Sequence, residues 1–375
     1  MRHILLLAIL AACHRGDTKV DVGPVSEAQA KAFATSLLGA VATSCDPEKI
    51  GALVDEEALA GHVLEHSKAE GDARLIAAKT MADRHTGATV LCAWLATAPD
   101  AKFSFLHLKD GAPIIRKLAK VKKTSAVTYF KLVLGTTKSD NVVRVDDAYS
   151  FTEGTSISES LAETIDAGLK AGISSSHDLE TAMGQIKTLR AQKKPEEAMA
   201  VLDGLPEDMR NLRALRVIRV FVAREISTER YSQEMASVLA KYPNDPSLAL
   251  IAVDEAALRK DYPATFKQID ILDQAIGGDA FQDAVRASIY FQAGDFVQAR
   301  ARAEAAVKVE PTLVRAQFSL VDAEAALHDN AAVLASLRTL ATLGQTLSAA
   351  ALAPLPHYTE FAKSPEFQTW AAEHP

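Results

Sequence analysis

The hydrophobic pattern of the N-terminal half changes its period partway along. Apolar residues such as Phe33, Leu37 and Val41 first recur at helical spacing. Apolar and polar residues then alternate as in strands, and Asp110-Gly111 predicts a hairpin turn. The predicted helices cover 28–42, 50–65 and 74–96, and the predicted strands cover 103–108, 114–121, 126–134 and 142–151. Helices followed by a meandering sheet predict an α+β domain over residues 26–172, with a curved antiparallel sheet over the helices.

The end of this region carries a weaker and more specific signal. The stretch 142–151 is followed by Gly154 and by Ser158-Glu159-Ser160-Leu161, and Ser156 with Glu159 fits a capping box that opens a helix to about Lys170. In the order of its elements this region resembles the NTF2-like (SnoaL-like) domains. That resemblance implies a cone that can enclose a pocket, in which some relatives use an acid and a tyrosine for proton transfer. The candidates here are Asp146, Asp147, Tyr129, Tyr149 and His107.

The C-terminal half repeats a helical pattern with a period of 34 residues after a first unit of 33. The clearest unit has Gly294 at a turn between two helices, small residues Ala299 and Ala306 where the helices touch, and Pro311 where the second helix ends. This pattern resembles the tetratricopeptide (TPR) repeat. The five units are 179–211, 212–245, 246–279, 280–313 and 314–347. The resemblance implies an all-α solenoid that binds a protein or peptide along a concave groove and does not catalyse a reaction.

The groove positions of TPR proteins can be transferred to this chain. They predict a partner-binding surface made of Lys187, Arg190, Arg213, Arg216, Arg224, Phe281, Phe291, Arg315 and Phe318. Such a surface suits an extended peptide with an acidic end and apolar anchors. Alternatively, the arginines at 210, 213, 216 and 219 line a solvated helix. Arg219 occupies an offset that normally holds a small residue, which predicts a local distortion. Residues 348–375 are predicted to form capping helices over the end of the stack.

The first residues of the chain carry a targeting pattern. A basic start at Arg2 and an apolar run over 4–10 precede Leu10-Ala11-Ala12-Cys13. The run is shorter than the roughly 20 residues of a membrane-spanning helix, which predicts a cleaved segment. The last four residues match the lipobox of bacterial lipoproteins, although a chance cysteine in a secretory signal is the alternative. The resemblance implies a signal peptide over 1–12, palmitate-type acylation of Cys13, a tether over 13–25, and anchoring to the outer membrane facing the periplasm.

Composition narrows the classes of partner. The 375 residues include 48 acidic and 41 basic side chains, so the net charge of −7 disfavours nucleic acid as a partner. His62 and His66 have the spacing of a zinc protease helix, but no further glutamate stands where that family needs one. We therefore predict no catalytic residue, metal or cofactor. A small-molecule binder or enzyme that uses a pocket in the N-terminal domain remains the alternative function.

Two cysteines remain once Cys13 is set aside. Cys45 follows the first predicted helix and Cys92 lies inside the third. In an oxidising compartment they can form a disulfide that joins the end of one helix to the middle of another. The alternative is two buried thiols that pack as small apolar side chains.

Overall fold

We describe the fold from a computed structural model, which covers residues 25–43, 45–95, 101–121, 124–136, 142–171 and 173–374. The predicted signal peptide, Cys13 and nearly all of the predicted tether lie outside the described residues. Within the described ranges, none of the helices is both long and apolar enough to cross a membrane.

The N-terminal part consists of helices followed by a sheet. Its helices are α1 (Glu27–Thr43), α2 (Pro47–Gly51), α3 (Glu56–His66), α4 (Asp72–Asp83), α5 (Thr86–Leu95) and, after the sheet, α6 (Ile157–Ala171). Its strands are β1 (Lys102–Lys109), β2 (Ala112–Val121), β3 (Thr124–Thr136), β4 (Val143–Ser150) and β5 (Thr155–Ser156). Each strand pairs antiparallel with the next, so the sheet is a meander in the order β1 to β5. The predicted strands are confirmed; the NTF2-like assignment stays a prediction.

Two predicted helices were each expected as one piece and are in fact broken. Between α2 and α3 the backbone of Leu53 and Asp55 bonds to Val145 of β4, at 2.8 and 2.9 Å, which takes these residues out of any helix. The Asp55 side chain then caps α3 by accepting from the Ala58 amide at 3.0 Å. Between α4 and α5, His85 has a φ of 51°, a left-handed conformation that ends the helix. In each case one helical period of apolar residues runs across the break, so the sequence pattern predicted a single helix.

One face of the sheet packs against the N-terminal helices. Ile115, Phe130 and Val145 of the sheet are buried in the same cluster as Leu37 of α1 and Leu91 of α5. Cys45 and Cys92 are joined by a disulfide, with their α-carbons 5.4 Å apart, and this bond ties the end of α1 to α5. The first of the two alternatives for these cysteines is therefore the one the structure contains.

The C-terminal part is built of helix pairs. Its helices are α7 (Ile173–Ala191), α8 (Pro195–Asp203), α9 (Glu207–Arg210), α10 (Arg213–Ile226), α11 (Thr228–Lys241), α12 (Ala249–Leu258), α13 (Tyr262–Ile276), α14 (Ala280–Gln292), α15 (Phe296–Val309), α16 (Val314–Ala326) and α17 (Asn330–Thr342). The second helices of the last four units, α11, α13, α15 and α17, begin 34 residues apart.

Each of those four starts has the same cap. The side chains of Ser227, Asp261, Asp295 and Asp329 accept a hydrogen bond from the amide three residues further on. Small side chains let neighbouring helices approach, and Ala299 of α15 is fully buried. The helix-pair register predicted from the sequence is therefore present in the structure.

Two other features of this part differ from expectation or extend it. Helix α10 is continuous through Arg219, so no distortion occurs there, because that guanidinium reaches out to Asp203 and Glu234. After α17 come α18 (Ala349–Leu352), two short 3₁₀ turns and α19 (Pro365–Glu373). Within this segment Trp370 and Phe361 are buried against side chains of α16 and α17.

Candidate binding cleft between the sheet and the repeats

The second face of the sheet packs against the helical repeats. Ile114, Tyr129 and Phe151 are buried in one cluster with Leu272 and Ile276 of α13. Further along, Leu118 and Val127 pack beside Phe281 and Leu313. These repeat residues lie near the junctions where one unit ends and the next begins. The two halves of the chain therefore share an apolar seam, which we call the sheet–repeat seam.

A buried polar network crosses this seam. Arg116 of β2 donates from Nη1 to Asp279 Oδ1 at 2.7 Å and from Nη2 to Glu310 Oε1 at 2.8 Å. Tyr129 of β3 donates its hydroxyl to Asp279 Oδ2 at 2.6 Å and accepts from Gln282 Nε2 at 2.8 Å. The side chains of Arg116 and Asp279 are each only 1% exposed. Because an isolated buried charge is costly, this pairing is a condition for closing the seam.

The network shifts the pKa of its members. Burial and the neighbouring Asp279 carboxylate raise the pKa of Tyr129 well above its ordinary value. Burial lowers the pKa of Arg116, but its bonds to Glu310 and Asp279 outweigh that effect and raise it. Both shifts favour a neutral Tyr129 that donates its hydroxyl and a charged Arg116, the forms that the hydrogen bonds of the network require.

Two further contacts hold the sheet against the repeats, one at His107 and one at Arg213. His107 Nε2 of β1 lies 2.8 Å from the Ile276 carbonyl, and a Cβ placed on Gly277 would lie only 2.7 Å from that nitrogen. Arg213 at the start of α10 pairs with Asp245 at 2.6 Å, bonds to Ser247, and reaches the Glu153 carbonyl after β4 at 3.4 Å. Its guanidinium also lies over the Tyr242 ring, 4.8 Å from the centroid. Arg213 therefore stabilises the contact between the end of β4 and the repeats.

A cleft of about 730 Å³ opens at the end of the seam near units four and five, and we call it the seam cleft. Its apolar wall includes Phe103 of β1, Leu118 of β2, Leu313 and Leu343. Its polar groups include Lys102, Arg116, Glu310 and Arg315. The volume lies in the range of about 300–1,000 Å³ that is usual for small-molecule sites.

Arg315 of α16 is the unusual member of this lining. Its guanidinium lies over the Phe281 ring, 5.3 Å from the centroid, and burial lowers the pKa of Arg315. Its Nε is buried and makes no hydrogen bond, and among the described residues no carboxylate pairs with it. Arg315 is therefore a half-buried cation that no described carboxylate balances.

A second cleft, of about 330 Å³, lies between α8 and α11, and we call it the polar cleft. It is lined by three arginines, at 210, 216 and 219, and by the carboxylates of Asp203, Glu207 and Glu234. Arg219 donates to Asp203 and, at 3.1 Å, to Glu234, while Arg216 donates to Asn211. The charges in this cleft balance one another.

The structure disperses the nine side chains of the predicted groove. Lys187 is exposed, and Arg190 and Arg224 form surface ion pairs with Glu225 and Asp254, at 2.6 and 3.0 Å. Arg213 lies in the seam, and Arg216 lines the polar cleft. Phe281 and Arg315 come together at the seam cleft. Phe291 stacks edgewise on His357, and Phe318 packs with the C-terminal cluster. Their role toward a partner stays a prediction.

The five residues proposed for a pocket in the N-terminal domain do not converge. Tyr129 and His107 contact the repeats, as described above. Asp147 accepts from the Ser158 amide at 3.2 Å and from its hydroxyl, so it caps α6. Tyr149 is partly buried at the seam beside Phe151, with ring centroids 5.1 Å apart. None of the five lines the seam cleft.

Sequence reasoning missed the principal residues of the cleft. Arg116 follows two apolar residues on β2, in Ile114-Ile115-Arg116, and a charge inside a buried strand was the available signal. Glu310 and Lys102 gave no signal because both stand in ordinary polar surroundings along the chain. In the described ranges, no group of three His, Cys, Asp or Glu side chains could hold a metal ion, and His62 lies 3.4 Å from Glu65.

Comparison with known proteins yields only distant likenesses. No protein-family model matches the chain, and no curated protein matches it. Among solved structures, PilW, a type IV pilus biogenesis factor, overlaps 54% of this chain and 93% of its own at 14% identity and a TM-score of 0.41. MamA MSR-1 C2 overlaps 46% of this chain and 98% of its own at 11% identity and a TM-score of 0.38. Overlaps this partial do not assign a function.

Proposed function

We propose that this chain is a TPR-type scaffold of the bacterial cell envelope that binds an acidic segment of a partner protein along the first helices of its repeats. The relevant helices are α7, α10 and α12. They are linked side by side by the ion pairs Arg190–Glu225 and Arg224–Asp254.

The observation that carries this proposal is the exposure of Arg190 and Arg224 on these helices, which we call the basic row. Their side chains are 37% and 50% exposed, and their partners Glu225 and Asp254 are each 37% exposed. An exposed ion pair contributes only about 0–1 kcal/mol to stability, so an incoming carboxylate can replace Glu225 or Asp254 at little cost. Arg213 makes its contacts within the sheet–repeat seam, whereas Arg190 and Arg224 remain accessible to a partner.

The test is affinity capture from envelope extracts with the intact chain and with the variant Arg190→Glu/Arg224→Glu. We expect the variant to lose specific partners that the intact chain recovers. The matched control is Lys267→Glu/Lys308→Glu, which makes the same charge change at exposed positions on second helices. Recovery of the same proteins in equal yield by all three would rule out the basic row as the binding surface.

The envelope location is a separate part of the proposal. It is supported by the pattern Leu10-Ala11-Ala12-Cys13 and by the Cys45–Cys92 disulfide, since disulfides persist in oxidising compartments. We expect Cys13→Ser to move the protein from the membrane fraction to the soluble fraction. Cys45→Ala/Cys92→Ala removes two other cysteines and should stay with the membranes. Continued sedimentation of the Cys13→Ser protein would contradict the lipid anchor.

A further inference from the structure

The buried and half-buried arginines of the described residues differ in their partners. Arg116, Arg213, Arg219 and Arg286 each have one or more carboxylate partners within 3.1 Å. Arg216 and Arg315 have none among the described residues. Arg216 donates to Asn211 in a cleft that holds three carboxylates, whereas the contact of Arg315 is the face of Phe281. Taking a cation out of water without a counter-charge is unfavourable, so a binding site for an anion is the ordinary reason to maintain one.

The surroundings of Arg315 define the rest of the ligand. The walls of the seam cleft carry Phe103, Leu118, Leu313, Val314 and Leu343. Such a lining favours a ligand with an apolar body. The ligand that fits both observations has one charged end and one apolar chain.

The other charges in the cleft limit the charge of that end. Glu310 lines the same cleft, and its carboxylate is already bonded to Arg116. Lys102 also lines the cleft but is exposed, so solvent screens its charge. A dianion such as a phosphate monoester would be repelled by Glu310 while its second charge met only this screened ammonium group. A monoanion matches Arg315, and the planar fork of a guanidinium matches a carboxylate best.

We propose that the seam cleft binds a medium-chain alkanoate, with its carboxylate paired to Arg315 and its chain along Leu118, Leu313 and Leu343. The site does not depend on the basic row of the proposed scaffold. Phe281 holds the guanidinium from one side, which leaves its N–H groups free for the ligand. The Arg116 network fixes the two walls relative to each other, because Arg116 belongs to the sheet and Glu310 to the repeats.

The first test compares two ligands of equal length. Titration calorimetry on the full chain carrying Cys13→Ser, with decanoate and with neutral decanamide, should show decanoate binding at least tenfold more tightly, which corresponds to about 1.4 kcal/mol. Equal dissociation constants for the two ligands, or no binding of decanoate at millimolar concentration, would overturn the proposal. This comparison uses the unaltered cleft and so does not depend on the folding of a variant.

The second test changes the cation. Arg315→Gln should remove the preference for decanoate over decanamide, and Arg315→Lys should keep part of it. The control Arg302→Gln neutralises an arginine that is 44% exposed on α15 and should change nothing. Unchanged decanoate affinity in Arg315→Gln would contradict the proposal.

A third test distinguishes a free alkanoate from the C-terminal carboxylate of a peptide as the ligand of the seam cleft. A short peptide ending in leucine, with a free or an amidated C-terminus, offers the same carboxylate on a larger body. Weaker binding of both peptides than of decanoate supports the alkanoate. Tighter binding of the free-acid peptide than of decanoate, lost on amidation, would instead identify a peptide terminus as the occupant.

Discussion

Arg219 of the polar cleft and Arg315 of the seam cleft both sit on repeat helices, and they differ in their partners. Arg219 bridges Asp203 and Glu234, so its charge holds α8, α10 and α11 together. Arg315 meets an aromatic face and no described carboxylate. Arg219 is therefore part of the architecture, whereas Arg315, beside an apolar cleft, is available to a ligand. Sequence alone does not separate them, because both sit on a repeat helix.

The strongest test of this comparison is Arg116, which pairs with two carboxylates. Arg116→Met leaves Asp279 buried without its cation, so we expect the free energy of unfolding to fall by about 3–5 kcal/mol in urea titrations. Arg116→Met/Asp279→Asn removes the orphaned charge and should recover part of that loss. A single-variant cost below about 1 kcal/mol would show that the pairing is not what stabilises the seam.

Arg219 should show a smaller effect of the same kind. Its side chain is 17% exposed and Asp203 is half exposed, so solvent screens the interaction. We expect Arg219→Met to lower the free energy of unfolding by about 1–2 kcal/mol, measured by the same titration. Addition of salt should reduce the difference from the unaltered protein. A cost equal to that of Arg116→Met would contradict the distinction between seam and surface pairing.

Asp146 extends the comparison of arginines to a carboxylate that forms no ion pair with a described residue. Burial, and then the like charge of Asp55, raise the pKa of Asp146 from 3.8 to about 6. An acid with a raised folded pKa favours folding below its unfolded pKa, and that contribution is lost as the pH rises through about 6. Asp146→Asn should therefore reduce the decline in stability between pH 4 and pH 6, and raise the free energy of unfolding at pH 7 by about 1 kcal/mol.

The neighbouring residue is the control for that prediction. Asp147 caps α6 through Ser158, so Asp147→Asn should lower the free energy of unfolding at pH 7 by about 1 kcal/mol. Both changes are followed by urea titration across the pH range. The same sign for Asp146→Asn and Asp147→Asn would mean that the Asp146 carboxylate is stabilised rather than penalised by its surroundings.

The smallest effect is expected at Arg315. Since no described carboxylate depends on it, Arg315→Met should change the free energy of unfolding by less than about 1 kcal/mol, or increase it. The thermal midpoint in the absence of ligand is the measurement. A loss as large as that of Arg219→Met would show that Arg315 has a structural partner and would remove the contrast between the two clefts.

The sequence by itself determined the local elements of this protein. Strand alternation predicted β1 to β4 within two residues of their ends, and the 34-residue period predicted the second helices of the repeat units. These features depend on residues close together in the chain, where the hydrophobic period acts directly. The sequence pattern did not predict the breaks at Val54 and His85. The first break depends on a contact with Val145, on a strand far away in sequence.

Only the tertiary structure decided which charges are paired. The groove predicted from repeat offsets treated Arg213, Phe281 and Arg315 alike, yet the first lies in the seam, the second is buried, and the third faces a cleft. Arg116 and Glu310 are 194 residues apart, and Arg116 and Asp279 are 163 apart. Coulomb and desolvation energies depend on distance and burial in space, which no local pattern records. The candidate cleft exists only because the sheet docks on the repeats.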